Sequence, residues 1–357
     1  SIDCIISKLS YFNFCFYFCL FKKEQMSENG RVLVTGADGM LGASVCRELI
    51  KQQYQVRAFI LPNRKTNVLE NINIEIVTGD ILDSSKLKEV MSGCDFVVNI
   101  AALTSVWPRT SEKVMQVNFQ GAINVMESAE KVGVKKLIHI GSANSFNHGT
   151  AKNPGNEKSN FDGWKYQMDY INSKYLAQQK LLQFHQSTNF PIVIINPTFM
   201  IGPFDSGPSS GKMILEVAQG KIPFYSAGGK NFVYSRDVAV AIVNAIKLGK
   251  AGECYIAGNE NLSFKDFFRK IYTIKNKKFT LIKAPSGLVL LVGFINSIYA
   301  RVFKKSPNLS FTMAKMAKIN QYYSSLKAQH ELQMPQTPIE IAIEECITWY
   351  DENGYFQ

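Results

Sequence analysis

A glycine-rich turn near the start of the chain limits the folds that the chain can adopt. The turn TGADGMLG, residues 35–42, follows an apolar run of strand length and precedes a segment whose apolar positions recur at helical spacing. Gly36 permits a tight turn, and Gly42 lets a helix pack closely against a strand. Gly39 lets the backbone come close to a pyrophosphate at the helix N-terminus. With a strand before it and a helix after it, the turn predicts a dinucleotide site, against the alternative of a turn without a ligand.

Short apolar runs and helical stretches continue to alternate beyond this turn. The predicted strands are 31–35, 55–61, 72–77, 96–100, 136–140 and 192–196, and the main helices between them lie near 41–52, 111–132 and 166–186. Continuous Val, Ile and Leu runs separated by helices predict an α/β fold, a Rossmann-type doubly wound parallel sheet covered on both faces. Ligands of such sheets bind at the carboxyl ends of the strands.

The pattern weakens after Gly202, where Pro and Gly cluster. Helices are predicted at 237–248, 263–272 and 338–352, with an apolar segment at 285–303. We therefore expect a Rossmann domain at 26–202, to which some later segments return, and a smaller C-terminal substrate-binding lobe in 203–357.

The first 25 residues differ from the rest of the chain. Residues 11–21 read YFNFCFYFCLF, an aromatic run that is shorter than the about 20 residues of a membrane-spanning helix. The chain begins with Ser, and Met26 directly precedes the predicted domain. We expect residues 1–25 to be an unnatural or mis-called extension outside the fold. A short membrane-surface anchor is the alternative.

Composition argues against several classes of protein. The seven cysteines include no Cys-x-x-Cys pair and there are only four histidines, so we expect no metal site and a cytoplasmic protein with reduced thiols. The net charge is +11, and residues 212–327 hold 19 Lys or Arg against 5 Asp or Glu. A solvated surface is the preferred explanation, while an anionic substrate or membrane stays open. Nucleic acid is not expected, because no nucleic-acid-binding motif is present.

The choice of cofactor depends on the end of the second strand. An NAD site usually has an acidic residue about 20 residues after the glycines, and none is found here. Arg57, Arg64 and Lys65 are basic instead and favour NADP over NAD. Arg64 is the better candidate for a 2′-phosphate, because Arg57 lies within the strand. The contacts expected from the glycine turn are Thr35, Gly36, Gly39, Met40, Leu41 and Gly42.

Three residues are candidates for catalysis. Tyr170 and Lys174 are four positions apart on a predicted helix and so share a face. A phenol, whose pKa is ordinarily about 10, becomes a better acid–base group beside an ammonium and an oxidised nicotinamide. Ser142, at a strand end, is placed to hold the substrate oxygen. Tyr170 would donate the proton during reduction, while the cofactor delivers hydride.

With these motifs in this order, the chain from about Gly30 to Tyr355 resembles the extended short-chain dehydrogenase/reductase family, also known as the NAD-dependent epimerase/dehydratase family. Within the family, the resemblance is strongest to the dihydroflavonol-4-reductase-like and 3β-hydroxysteroid dehydrogenase-like members. The resemblance implies catalytic roles for Ser142, Tyr170 and Lys174, with Asn118 in support. It also implies cofactor contacts at Asp80, Ile81, Ala101, Ala102, Tyr170, Lys174, Pro197 and Thr198.

Two departures from the family pattern bear on the reaction. Ala143 and Asn144 follow Ser142 where the 4,6-dehydratases have Asp and Glu, so dehydration is disfavoured. Lys230 and Asn231 stand where many nucleotide-sugar enzymes have Arg and Asp, which weakens the epimerase interpretation. We expect an oxidoreductase acting on a carbonyl or hydroxyl group of a small, fairly apolar substrate. A nucleotide-sugar epimerase and a non-enzymatic NADPH sensor are the alternatives, and a homodimer is left open.

The apolar segment at 285–305 allows two interpretations. Its polar break at Asn296 and Ser297 argues against a full membrane span. The segment either closes the substrate pocket with its apolar faces, which we prefer, or lies on an anionic membrane as a peripheral helix.

Overall fold

The computed structural model describes residues 29–276 and 280–356. The predicted extension, residues 1–25, and Met26 lie outside the described residues. The strands are β1 Arg31–Thr35, β2 Gln55–Ile60, β3 Glu75–Thr78, β4 Phe96–Asn99, β5 Lys136–Ile140, β6 Ile192–Pro197, β7 Phe199–Ile201, β8 Phe224–Tyr225, β9 Gly229–Tyr234, β10 Cys254–Ala257, β11 Glu260–Ser263, β12 Ile282–Lys283 and β13 Asn320–Gln321.

Helices fill most of the chain between the strands. They are α1 Met40–Lys51, α2 Ser84–Met91, α3 Glu112–Met115, α4 Gly121–Lys131, α5 Asp169–Thr188, α6 Gly211–Ala218, α7 Ser235–Leu248, α8 Phe264–Ile274, α9 Ser286–Val302, α10 Phe311–Met316, α11 Leu326–Leu332 and α12 Ile339–Glu352. The predicted helix at 111–132 is interrupted between α3 and α4 by a π-helical turn, Gln116–Gln120.

Seven parallel strands form the central sheet, in the order β10-β6-β5-β4-β1-β2-β3. The order reverses on the two sides of β1, as in a doubly wound sheet. Helices α1, α7 and α11 cover one face, and α2, α4 and α5 cover the other. The inner strands are buried on both sides, which is why their sequences read as continuous apolar runs. The predicted α/β Rossmann fold is therefore confirmed.

The region after residue 202 is divided between the sheet and the lobe. Strand β10 and helix α7 belong to the central sheet and its covering layer. The lobe is built around β9, which pairs with β7, β11 and β13. A separate apolar core joins this small sheet to α6, α8 and α12. The lobe thus lies against the strand ends at which ligands of such sheets bind.

Candidate active site

Ser142 and Tyr170 come together at the carboxyl end of β5. Ser142 lies two residues beyond the strand, and Tyr170 is in the first turn of α5. The Ser142 hydroxyl lies close enough to the Tyr170 phenol to lower its pKa, while burial raises that pKa by more. The phenol pKa is therefore above its usual value, and the hydroxyl is protonated at neutral pH. This is the state in which Tyr170 can donate a proton.

Lys174 is one turn beyond Tyr170 on the same helix face and is only 5% exposed. Its ammonium donates to the Ile140 carbonyl, with 2.8 Å between the two atoms. Burial lowers its pKa to about 8. Of the described groups, the Ser142 hydroxyl is the one that lowers the Tyr170 pKa, and the effect expected of Lys174 together with an oxidised nicotinamide stays a prediction.

Asn118 steadies the helix that carries Tyr170. It lies in the π-helical turn and is buried, and its side chain both donates to and accepts from the backbone of Leu103, at 2.9 and 2.7 Å. Its amide also donates to Ser173 Oγ, whose hydroxyl donates to the Tyr170 carbonyl. The π-helical turn, a feature often found at functional sites, aims Asn118 at α5.

The glycine turn fits a dinucleotide. A Cβ on Gly36 would come within 2.8 Å of the Ala101 backbone, and one on Gly42 within 2.2 Å of the Gly36 carbonyl, so both glycines are needed for packing. A Cβ on Gly39 would approach no described atom closer than 3.6 Å, apart from those of its chain neighbours. The space in front of Gly39 is therefore open. No side chain caps α1, so its first N–H groups are left for an anion.

Thr35 joins the two strand ends beside the glycine turn. Its buried hydroxyl donates to Asn99 Oδ1 at 2.7 Å and accepts from the backbone N–H groups of Ile100 and Ala101, each at 3.1 Å. Asn99 in turn lies 3.1 Å from His139 Nδ1. Because its hydroxyl is occupied by these three hydrogen bonds, Thr35 stabilises the two strand ends beneath the site, and its hydroxyl is not free to contact the cofactor.

The remaining residues predicted to contact the cofactor lie along the same edge of the sheet. Asp80 is exposed and accepts from the Leu82 N–H, while Ile81 is buried against Gly121. Thr198 donates to Asn231 Oδ1 at 2.8 Å, which fixes the loop after β6 to β9. The positions involved are Asp80, Ile81, Ala101, Ala102, Pro197 and Thr198.

The basic residues near β2 have different roles. Arg57 is engaged away from the site, donating to Glu75 and to the carbonyls of Val90 and Ser92. Arg64 lies over the glycine turn, where its Nε is 2.7 Å from Asp38 Oδ2. Arg64 is thus the basic residue that the structure brings to the expected ribose end of the site.

A polar cluster, of which the sequence analysis singled out only Lys230, joins the lobe to the segment after β5. Lys230 donates to Gln321 at 2.7 Å, and burial lowers its pKa to about 8. His148 Nε2 lies 3.4 Å from the Tyr166 hydroxyl. The pKa of His148 is lowered, first by burial and then by the charges of Lys165 and Lys230. Segments that are distant in sequence assemble this cluster, so no local motif predicts it.

Asn196 directly precedes the predicted contacts Pro197 and Thr198, but its own role in positioning the site was not predicted. It is fully buried, and its amide donates to the Ser142 carbonyl at 3.0 Å and to Gln178 at 2.8 Å. It therefore fixes the backbone that presents the Ser142 hydroxyl. Among the described residues, no three His, Cys, Asp or Glu side chains are grouped so that they could hold a metal ion.

The chain is similar to several known proteins in sequence and in structure. The model of the NAD dependent epimerase/dehydratase family matches residues 32–258. A "Putative dihydroflavonol 4-reductase" of Synechocystis sp. is 31% identical over 90% of this chain and 95% of its own length. A 2-alkyl-3-oxoalkanoate reductase of Shewanella oneidensis is 23% identical over 84% and 80%. The crystal structure of gox2253 has a TM-score of 0.81 and 30% identity, over 92% of this chain and 100% of that one.

Proposed function

The chain belongs to the NAD-dependent epimerase/dehydratase family, and we propose that it is an oxidoreductase that interconverts the carbonyl and hydroxyl groups of a small, fairly apolar substrate. The observation that carries the proposal is the meeting of the Ser142 hydroxyl and the Tyr170 phenol at the carboxyl end of β5, with buried Lys174 one turn away. An NAD(P) cofactor, as is usual in the family, supplies or accepts the hydride.

The chain's own residues account for the proton and for the alignment of the substrate. The Ser142 hydroxyl and the Tyr170 phenol both face the position of the substrate oxygen. In reduction, Tyr170 donates its proton to that oxygen as negative charge develops on it. Lys174, held by the Ile140 carbonyl, places a positive charge beside the phenolate that remains. In oxidation the same groups act in reverse.

The character of the relatives supports a reductase. Two of them are named as reductases of oxygenated organic compounds, a "Putative dihydroflavonol 4-reductase" and a 2-alkyl-3-oxoalkanoate reductase. A third is named "Sterol demethylase protein B", from Methylococcus capsulatus, at 24% identity. Ala143 and Asn144 provide no acid–base pair for the elimination of water, so dehydration is again disfavoured.

A turnover screen tests the proposal. Purified full-length protein is mixed with NADPH or NADH and with panels of ketones, aldehydes and their alcohols, and the absorbance of the reduced nicotinamide is followed. We expect net oxidation of the cofactor with at least one apolar carbonyl compound, and none with Tyr170→Phe. Equal rates in the Tyr170→Phe variant would show that the proposed site does not catalyse the reaction.

An epimerase remains the second candidate, because Lys230 is a partly buried lysine in the lobe and could meet a diphosphate. An epimerase returns the hydride to its substrate and keeps its nicotinamide. Mass spectrometry of the purified protein distinguishes the two cases. Tightly held NAD together with interconversion of nucleotide sugars, without net change in the cofactor, would replace the first proposal with this one.

We further infer a preference for NADP over NAD. Arg64 lies beside Asp38 of the glycine turn, where it could meet a 2′-phosphate. Arg64→Ala should weaken NADPH binding about tenfold, equivalent to about 1.4 kcal/mol, and leave NADH binding nearly unchanged. Fluorescence titration of both cofactors measures this, with Lys88→Ala on α2 as a control for the loss of a positive charge elsewhere. Equal losses for the two cofactors would assign Arg64 to the stability of the turn.

A further inference from the structure

Helices α9 and α10 pack against each other on the lobe, and small residues line their interface. A Cβ on Gly293 would lie 2.7 Å from Ala314 Cβ and 3.0 Å from the Ser310 carbonyl, so only glycine permits this close approach. The Ser297 hydroxyl donates to the Gly293 carbonyl and accepts from the Phe311 N–H, at 2.8 and 2.9 Å. The inner face of α9 is therefore made of small and polar residues.

The large apolar side chains of α9 lie on the other faces. Nine of them, counting Phe303 just after the helix, are 41–65% exposed. They are Leu288, Leu291, Val292, Phe294, Ile295, Ile298, Tyr299, Val302 and Phe303. The preferred interpretation of this segment, closure of the substrate pocket by its apolar faces, is not supported by this exposure and stays a prediction. Soluble proteins rarely leave so large an apolar surface in contact with water, and such surfaces usually bind something.

The charges around α9 indicate what it binds. Residues 267–330 contain twelve Lys or Arg and no Asp or Glu. Arg301, Lys304 and Lys305 are exposed at the end of the helix, and Lys315 is exposed on α10. A second copy of the chain would bring a surface of the same charge against this one and be repelled. An anionic surface is attracted.

The length of the helix separates lying on a membrane from crossing it. Its 17 residues span about 26 Å at 1.5 Å per residue, whereas the hydrocarbon core of a bilayer is about 30 Å thick. In the part of the chain that the structure describes, no helix has the length and apolar character needed to cross a bilayer. An apolar face bordered by lysine and arginine is typical of helices that lie in the interface.

We propose that α9 binds the surface of an anionic lipid membrane, with its exposed apolar side chains in the acyl boundary and its basic residues at the headgroups. Each apolar side chain that enters the acyl boundary raises the partition coefficient, and each basic residue near the surface adds an electrostatic attraction to the anionic headgroups. The membrane contact does not depend on the reaction proposed above, because it follows from the exposed side chains and charges of α9 and not from the Ser142–Tyr170 site.

Vesicle flotation with the full-length chain tests the proposal. The vesicles are phosphatidylcholine alone or phosphatidylcholine with phosphatidylserine. We expect binding to the phosphatidylserine vesicles that weakens as salt is added, because salt screens the attraction. Leu291→Asp combined with Phe294→Asp should lower the partition coefficient about a hundredfold, since each side chain contributes about tenfold or more when buried.

A matched variant isolates the effect of position. Leu248→Asp combined with Ile341→Asp changes two apolar residues that are also exposed, on α7 and α12, and should float like the unchanged protein. Circular dichroism checks that both variants are folded. The proposal fails if the unchanged protein stays with the soluble fraction at low salt, or if the α9 variant floats as well as the control. It also fails if light scattering shows that the α9 substitutions convert a dimer to a monomer without any binding to vesicles, because a second copy would then cover this face.

Discussion

Helices α5 and α9 both depart from the usual distribution of residues between the interior and the surface, but in opposite directions. On α5, Lys174 and Ser173 are buried, and each has a hydrogen-bond partner from another part of the fold. On α9, Leu291 and Phe294 are about half exposed while Gly293 is buried. Charged residues are rarely buried in proteins, and large apolar patches are rarely exposed.

The two helices differ in the kind of partner that would offset the unfavourable placement of these side chains. Burial of Lys174 costs free energy in the isolated chain, and the cation is kept at the strand ends where a cofactor and a substrate meet. Exposure of the apolar α9 side chains to water is also unfavourable. These side chains lie on the protein surface, so only contact with another molecule or a membrane can remove them from water. Departures from the local rules of folding are thus markers of function on both helices.

The largest expected effect is on α5, from Tyr170→Phe. Loss of the hydroxyl removes the proton donor, so turnover should fall by a factor of about 10²–10⁴ while NADPH affinity stays nearly unchanged. Steady-state kinetics and cofactor titration measure the two quantities. Tyr175→Phe is the control, because Tyr175 lies on the same helix but is stacked on Phe161, with 3.9 Å between ring centroids. If Tyr170→Phe abolished cofactor binding in a folded protein, the phenol would be a binding group and not an acid.

The next largest effect is expected on the free energy of unfolding, from replacement of the buried Lys174. Because burial lowers the Lys174 pKa to about 8 from an ordinary value of about 10.4, the unfolded chain binds more protons than the folded one between these pH values. Lys174→Met should therefore raise the free energy of unfolding by roughly 3 kcal/mol below pH 8, at about 1.4 kcal/mol per pKa unit, while abolishing turnover. This gain should shrink as pH rises from 8 to 10.5.

Urea unfolding at several pH values measures the gain. Lys180→Met, at an exposed position of the same helix, should leave the free energy of unfolding nearly unchanged. A Lys174→Met variant that is less stable than the unchanged protein at neutral pH would mean that the hydrogen bond to Ile140 outweighs the cost of burying the charge.

A smaller effect on protein stability is expected from a substitution on the inner face of α9. Alanine in a helix is ordinarily more stable than glycine by about 0.5–1 kcal/mol. Gly293→Ala should instead destabilise the protein by about 1–3 kcal/mol, because the added methyl group would overlap Ala314. Gly287→Ala, in the same helix, meets no described neighbour within 4 Å and should be neutral or slightly stabilising. Thermal melts of the two variants compare them, and equal melting temperatures would argue against the tight packing of α9 on α10.

The smallest effect is expected on the outer face. Leu291→Asp and Phe294→Asp should each change the free energy of unfolding by no more than about 0.5 kcal/mol, because both side chains are already half exposed. Urea unfolding of the two single variants in the absence of lipid measures this. A loss of several kcal/mol would show that these side chains are packed inside the protein in solution, and would remove the contrast between α5 and α9.

Much of the sheet and of the catalytic group could be predicted from local sequence. The predicted bounds of β1 and β5 coincide with those observed, and those of β2, β4 and β6 differ by about one residue. Strand β10, at the edge of the central sheet, was not predicted. The π-helical turn at Asn118 was not foreseen, since an extra residue in a helix leaves no compositional signal. Nor was the grouping of Gln321, His148 and Tyr166 around Lys230 foreseen, because it depends on contacts between segments far apart in the chain.

The sequence by itself determined the doubly wound sheet, the glycine turn at its first strand end, and the spacing that places Tyr170 and Lys174 on one face. All of these follow from short-range periodicity and backbone geometry. Only the tertiary structure decided which face of α9 is turned inward. Gly293, Ser297 and Ala300 recur at helical spacing just as the large apolar residues do, so periodicity identifies two faces without choosing between them. The choice was made by close packing against α10, where only the small residues fit.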